Sequence, residues 1–522
     1  MVYLKPWYIF YDPLGDVGFF LDNAKYFPIM GAPTYHYSPF LNKVIPAPCL
    51  NEPRWLYFGL LSILGYNLGF DTGIILFTLF SWSFFFIMIY YLASEFVGEK
   101  WALLSFPLVA TFWINAEWFT YGVSEALGYP LFILGVLILI KHKNPLLAST
   151  AFVLAGITRW HLLVLSIPML FVFFLVDRRL HELTPKHDRH FLLAFIVLLV
   201  TLIINDNLSL YLVGHVPYYD PIVWLVKGGG LGAGFVHEKV TYNYLLSLRD
   251  YFRWVGWQAA HLLGLGFIGM PLGLLLTNFK STSWIKLSFF NVTFLLFPAI
   301  LNPIQFGGYH HEFYILGFSL LSIGTIYFIK TFSKACLRGF LSFLSYFKLH
   351  KRFNLDFVKG SILLAVLLVT LYFGVIPQIQ GFQKIHQKTL DTHISLRIIG
   401  DEFVHILETD PGDYYILDEY PWTWFYYKPT SKYGDRFYST WDLTYDALER
   451  SRYVVIYNFQ YRGGWLAKGF PESLLKFQPS VFYLFRDIPG WRTKVVVEPY
   501  HDIVLHELHA CIYRIVEVQR VD

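Results

Sequence analysis

Residues Gly73 to Ala93 read GIILFTLFSWSFFFIMIYYLA, twenty-one consecutive positions without a charged side chain. A hydrocarbon core about 30 Å thick asks for roughly 20 apolar residues of helix, and in lipid the backbone must pair its own polar groups within the segment. The stretch is therefore read as a membrane-spanning helix. The whole chain supports the reading: 55% of its residues are hydrophobic and only 15% charged, where a soluble domain carries about 25% charged residues, and its mean hydropathy is +0.46. Composition excludes an ordinary soluble enzyme.

Outward from this stretch, nine further runs read as spans: Trp101 to Ala116, Ala126 to Ile140, Leu146 to Ile157, His161 to Val176, Phe191 to Ile204, Trp257 to Thr277, Ile285 to Leu301, Phe313 to Ile329 and Ser361 to Ile376. The pair on either side of Arg159 also fits one broken or re-entrant unit. Trp55 to Phe70 is short and interrupted by Gly65, Asn67 and Gly69, so it is expected to lie along the interface. The fold class expected is a polytopic α-helical membrane protein of about 10–11 spans with a C-terminal extracytoplasmic α/β domain.

Basic residues in short loops mark the cytoplasmic side. The connections with Lys141 and Lys143, with Arg178, Arg179, Lys186 and Arg189, with Lys280 and Lys286, and from Lys330 through Lys334, Arg338, Lys348, Lys351 and Arg352 fall on one side of the alternating spans. The opposite side holds the first outer loop (12–55), the turn from Glu117 to Glu125, Arg159, the long loop 205–256, the turn from Asn302 to Glu312, and everything after Pro377. The net charge of +4 is accounted for by these retention signals, so no nucleic-acid partner is expected. Cys49, Cys336 and Cys511 are too scattered for a disulfide framework, and no cleavable leader is read in Met1 to Leu14.

Beyond the last span, alternating segments at Tyr414 to Leu417, Tyr453 to Tyr457, Lys494 to Val497 and Ile512 to Val516 read as strands, with helices at Ile394 to Glu408 and Tyr445 to Ser451. Two parts follow: a membrane module over 1–377, and an α/β domain of independent size over 378–522, outside a plasma-membrane-embedded core.

The outer face collects the polar residues with chemical potential. Asp16, between Gly15 and Gly18 and followed by Phe19, Phe20 and Leu21, is an acid held among apolar neighbours, a setting that raises proton affinity and suits a base. The plainer reading, compatible with it, is an N-cap of a helix from Val17 to Tyr26. Arg159, between Thr158 and Trp160, suits an anionic headgroup or phosphate through two parallel hydrogen bonds; its plainer reading is snorkelling to the interface. Tyr309-His310-His311-Glu312 offers donors for a phosphate, and adjacent histidines are poor metal geometry. Asp22, Glu125 and Glu312 are the auxiliary or acceptor-side acids. His506-Glu507-Leu508-His509 lacks the four-residue histidine spacing of a zinc-peptidase helix. Asn207-Leu208-Ser209 is a glycosylation sequon, and Lys227 to Gly232 a flexible loop without phosphate-loop context.

The acidic residue in the first outer loop, the run Gly31-Ala32-Pro33-Thr34-Tyr35, Pro53 leading into Leu56 to Gly65, and Ser124-Glu125-Ala126-Leu127 resemble the N-terminal region of polytopic glycosyltransferases of the GT-C superfamily, in the protein mannosyltransferase and aminoarabinose transferase branches. The resemblance covers residues 12 to 180 by motif and the remainder by architecture. It implies transfer of a sugar, with inversion and outside the cytoplasm, from a polyprenyl-phosphate donor such as a dolichyl- or undecaprenyl-phosphate hexose to a lipid, glycan or protein acceptor. Carried over, Asp16 is the base, while Arg159, His310 and His311 take the phosphate side. Whether a divalent metal assists stays open; no other cofactor is implied. One departure stands: family members place a span before the acidic loop, and only fifteen residues precede Asp16 here, so either the start lies upstream or Tyr3 to Tyr11 is an interfacial remnant. The tryptophan-acid motif of oligosaccharyltransferases is absent from the C-terminal domain, so whole-oligosaccharide transfer to asparagine is not expected. The runner-up is a transporter or flippase of a lipid-linked saccharide, which would place ionisable residues near mid-membrane and repeat its halves; the third is a membrane scaffold with an outer binding domain.

Overall fold

The computed structural model describes residues 16–30, 35–38, 43–46, 54–111, 123–179, 185–213, 265–301, 311–346, 400–418, 436–439, 448–458, 480–484, 492–504 and 509–521, with single positions between 361 and 398 and at 433. Its helices are α1 (Asp16–Met30), α2 (Trp55–Leu68), α3 (Phe70–Val97), α4 (Glu99–Ala102), α5 (Ser105–Thr111), α6 (Ser124–Lys141), α7 (Pro145–Thr158), α8 (Trp160–Arg179), α9 (Pro185–Val213), α10 (Gly266–Leu276), α11 (Thr282–Leu301) and α12 (His311–Tyr346). A short hairpin, β1 (Tyr35–Ser38) with β2 (Lys43–Pro46), lies between α1 and α2.

Among the described residues, five helices are long and apolar enough to cross a membrane: the stretches Thr72–Val97, Ser124–Lys141, His161–Arg179, His187–Asn205 and Ile315–Phe340. All five coincide with expected spans, and the protein is an integral membrane protein. Of the remaining expected spans, Ile285 to Leu301 lies within the 20-residue α11, and the others are shorter helices or fall partly or wholly outside the described residues. α7, with 14 residues, rises about 21 Å at 1.5 Å per residue and so falls short of the hydrocarbon core by itself. α9 runs on to Val213, so the segment expected as loop from Asn205 begins as helix. Asn207 of the sequon donates its side-chain amide to the Ile203 carbonyl at 2.8 Å, inside that helix. The glycine run 227–232 lies outside the described residues.

Four contacts establish which helix ends share a side. Lys141 Nζ meets Glu95 Oε1 at 2.7 Å, joining the C-terminal ends of α6 and α3. Lys330 of α12 donates to the Val97 carbonyl at 2.7 Å. Trp284, at the start of α11, packs edge-on to Phe96 at 4.8 Å and to Tyr327 at 4.6 Å. Lys141 and Lys330 therefore gather at one end of the bundle with the start of α11, and α3, α6 and α12 run parallel toward it. The first turns of α3, α6 and α12 stand at the opposite end.

α2 is two-faced, with Tyr57, Phe58, Leu61, Ser62 and Gly65 buried and Leu60, Ile63, Tyr66 and Leu68 exposed. That i, i+4 pattern suits a helix lying on a bundle. It meets α3 at Gly69, whose φ of +85° is a conformation other residues adopt only with strain. Tyr57 packs at 5.1 Å against Phe77 in the second turn of α3, so α2 covers the N-terminal end of that helix.

The C-terminal part holds β3 (Tyr415–Asp418), β4 (Phe437–Ser439), β5 (Ser451–Asn458), β6 (Ser480–Leu484), β7 (Arg492–Val504) and β8 (His509–Val521). They form one six-stranded sheet ordered β4-β3-β5-β8-β7-β6, parallel across β4-β3-β5 and antiparallel from β5 to β6. The helical stretch 400–409 buries Phe403, Ile406 and Leu407, within the expected helix from Ile394 to Glu408. The second expected helix, Tyr445 to Ser451, is described only from 448: helix at Leu448 and Glu449, then strand from Ser451, where the β-branched run of β5 takes over.

Candidate functional site

The site is built at the end of the bundle away from the basic residues. α7 closes at Arg159, whose backbone leaves helical geometry at φ −150°, ψ 110°. Its N–H still donates to the Ala155 carbonyl at 2.8 Å, and its own carbonyl accepts from Leu162 N–H at 3.0 Å. One residue thus ends α7 and begins α8. α7 and α8 are thus two helices packed against each other at a sharp corner, an arrangement compatible with the broken unit that the sequence allowed.

α6 reaches this corner through Gly128, where an added Cβ would stand 2.9 Å from Leu162 Cδ1 and 3.5 Å from Arg159 Cβ. The absence of a side chain there lets the first turn of α6 press on the corner. That approach delivers Glu125, one turn earlier, to Arg159: Nε of Arg159 lies 2.6 Å from Glu125 Oε1. Ser124 donates to the other carboxylate oxygen at 3.1 Å. Both ionic side chains are buried, 7% and 3% exposed, so Arg159 is not snorkelling into water. His161 and Thr158 are buried beside it in sequence.

α1 packs on α2 at the same end. Its helix begins at Asp16, one residue earlier than the expected Val17 start, and extends through Pro28 to Met30. Phe20 and Leu21 are buried as expected, with Phe20 edge-on to Tyr57 at 5.3 Å and to Phe58 at 6.0 Å. The Arg54 guanidinium stacks over the Phe20 ring at 4.6 Å and is buried. Asp16 occupies the helix position one turn ahead of Phe20, and Asp22 lies in the next turn. Arg54 went unnoticed in the sequence, although an arginine sandwiched between Pro53 and the apolar run from Trp55 could have flagged it.

α12 opens with His311 and Glu312 at this end, which puts their backbone near the expected phosphate side; His310 lies outside the described residues. Among the described residues, no three His, Cys, Asp and Glu side chains are grouped to hold a metal. The geometry brings Arg159 and Glu125 into contact at the end of the bundle where α3, α6 and α12 begin. Chemically, that is a buried guanidinium paired through Nε with a carboxylate.

No protein-family model and no curated protein matches the sequence. Among solved structures, ArnT from Cupriavidus metallidurans bound to undecaprenyl phosphate is similar with a TM-score of 0.51 at 11% identity, over 97% of this chain and 95% of that one. The apo state of the same protein gives 0.48 over the same shares. The Archaeoglobus fulgidus oligosaccharyltransferase, in its complex with Zn and sulfate, gives 0.48 at 13% identity, over 92% of this chain and 70% of that one. The first likeness shows a shared fold: this chain has the polytopic architecture of that ArnT structure.

Proposed function

We propose that this chain is a membrane glycosyltransferase that moves a sugar from a polyprenyl-phosphate-linked donor to an acceptor hydroxyl on a lipid, glycan or protein, at the extracytoplasmic face of the plasma membrane and with inversion. The observation that carries the reading is the buried Arg159–Glu125 pair at the bundle end where α6 and α12 begin. The solved structure that shares the fold holds undecaprenyl phosphate, which supports a donor of that class. In this reading residues 1–377 are the catalytic module, and 378–522 form an outer domain that helps place the acceptor.

Asp16 takes the proton from the acceptor hydroxyl as its oxygen attacks the anomeric carbon. The bond from that carbon to the donor phosphate breaks on the opposite face, so configuration inverts in one displacement. The leaving polyprenyl phosphate gains negative charge, which Arg159 holds together with His310 and His311. Glu125 keeps the guanidinium fixed before the donor arrives, so little reorganisation is needed at the moment of reaction. Asp22 and Glu312 serve the acceptor side. A transporter or flippase would favour ionisable residues at mid-membrane, whereas the buried ion pairs among the described residues sit near helix ends.

Asp16→Asn in reconstituted membranes is expected to cut transfer from a polyprenyl-phosphate sugar by about 10²–10⁴-fold, the usual contribution of a general base, while expression and thermal unfolding stay as in the wild type. Full activity would remove Asp16 from the mechanism. Sidedness has its own test: His405→Cys should react with a membrane-impermeant maleimide added outside intact cells, and protection there would invert the topology.

A further inference from the structure

Tyr500 is the extra residue of a β-bulge in β7: Pro499 pairs with Tyr513 of β8 and His501 with Ile512, so Tyr500 has no residue opposite it on β8. Side chains alternate along a strand, and residues paired across strands share a face. Glu498 pairs with Arg514, which pairs with Tyr453 of β5, so these three stand on one face of the sheet. Counted from Glu498, Tyr500 lies on that face; counted from Ile512, which pairs with Val455, so does His501. The bulge thus turns two consecutive side chains to the same side, the re-aiming that bulges perform beside functional sites. The helical stretch 400–409 lies over this face, because His501 Nε2 is 3.9 Å from Glu402 Oε1.

The result is a fixed aromatic shelf with polar groups at its edge. The Tyr500 ring stands edge-on to the buried Tyr453 ring, with centroids 4.8 Å apart. Tyr453 is itself held edge-on by Tyr414 at 5.6 Å and by its hydroxyl, which donates to Asp410 at 2.7 Å. Tyr500 is nevertheless 43% exposed. Two positions back, Glu498 Oε1 lies 3.8 Å from Arg514 Nη1, and both side chains are half exposed. That separation exceeds a hydrogen bond, and a hydroxyl, which donates and accepts at once, fits between an acid and a guanidinium. So exposed a pair adds little to stability, and its net charge is zero, which selects a neutral polyhydroxylated partner over an ion. A pyranose ring carries C–H groups on its faces and hydroxyls around its rim. Laid on the Tyr500 ring, it brings that rim to the pair, about 7 Å back along the strand.

We propose that Tyr500, Glu498 and Arg514 form a subsite for a neutral sugar ring on the C-terminal domain, the ring stacked on Tyr500 and one of its hydroxyls bridging Glu498 and Arg514. The subsite deepens the glycosyltransferase reading and rests on it only in making that sugar part of a glycan acceptor. Saturation-transfer NMR on the full-length protein in phosphatidylcholine nanodiscs tests it, with neutral trisaccharides of glucose, galactose, mannose and N-acetylglucosamine as probes. At least one should bind, with saturation strongest on the C–H groups of one ring face. Tyr500→Ala should weaken that binding about tenfold, the worth of one aromatic contact, and Tyr500→Trp should keep it. Glu498→Gln and Arg514→Gln, at half-exposed positions that leave the fold intact, should each weaken it about three- to tenfold. Binding of none of the four probes overturns the proposal, as does binding that Tyr500→Ala leaves unchanged, or a preference for trigalacturonate over every neutral probe. The two readings fail separately. Saccharide binding through Tyr500 without transfer from a polyprenyl-phosphate sugar upholds the subsite and removes the transferase, whereas transfer without such binding removes the subsite alone.

Discussion

The two ends of the helical bundle each bury an ion pair of the same length, 2.6 Å, and the pairs are built for different work. At the end with the basic loops, Lys286 of α11 meets Asp177 of α8, both 1% exposed, with the ammonium 5.4 Å from the Phe173 ring. Both partners sit inside regular helix, and a lysine is a compact point charge. At the other end, Arg159 meets Glu125 at the break between two helices, and the carboxylate also accepts from Ser124. A guanidinium fork can serve a carboxylate through Nε and a phosphate through its terminal nitrogens together. Equal distance therefore does not mean equal role: the first pair is a clamp between α8 and α11, the second a positioned cation at a corner of the chain.

The clamp should break hardest. Lys286→Met leaves Asp177 buried without its countercharge, and removing one member of such a pair costs about 3–5 kcal/mol; unfolding in detergent measures it. Lys286→Met/Asp177→Leu should recover most of that loss, because a buried pair replaced by apolar groups of similar size is near neutral. A silent single variant would mean that water reaches this end. The corner should respond to ligand instead. Glu125→Gln keeps the shape and lowers stability by about 1–3 kcal/mol through the uncompensated cation. Added polyprenyl phosphate should then raise the melting temperature more in Glu125→Gln than in the wild type, since its phosphate replaces the missing carboxylate. Identical shifts in both proteins would make the corner a second clamp.

The difference between these ends was only half legible in the sequence. Hydropathy marked the helices that carry both pairs, because a bilayer demands long apolar runs regardless of detail. Charge in the loops grouped Lys141 and Lys330, and their contacts agree on one end. Lys286, however, was read as a loop charge, because a boundary error of a few residues decides whether a lysine is solvated or one turn inside a helix. Glu125 and Arg159 were each placed on the outer face but not joined. Their contact depends on Gly128 admitting a close approach, which is a property of packing and not of spacing. Arg54 drew no notice in the sequence, and its stacking over Phe20 emerges only from the packing of α1 on α2. In the C-terminal sheet, β4 and β6 were missed because three and five residues carry too little alternation to stand out.

A third pair of the same 2.6 Å length sharpens the comparison from outside the bundle. Arg452 meets Asp410 at the sheet domain with 36% and 31% of their side chains exposed, and Tyr453 donates to the second carboxylate oxygen at 2.7 Å. The hydrogen bond from Arg452, then that from Tyr453, holds the Asp410 carboxyl below its usual range. Burial, with the bond to Asp410 second, pushes the Tyr453 hydroxyl far above the ordinary tyrosine range. Water and salt screen a pair this exposed, so Asp410→Asn should cost about 0.2–1 kcal/mol near neutrality, the smallest of the three effects. Its pH dependence has a definite sign. A carboxyl with a depressed folded-state value stabilises the fold above its unfolded value of about 3.9 and loses that contribution as pH falls through the folded value. Wild type and Asp410→Asn should therefore differ at neutral pH and converge in acid below about pH 4. A gap that stays constant down to pH 2 would mean that the asparagine variant lost packing instead of charge, and exposure would then not be what separates this pair from the two inside the bundle.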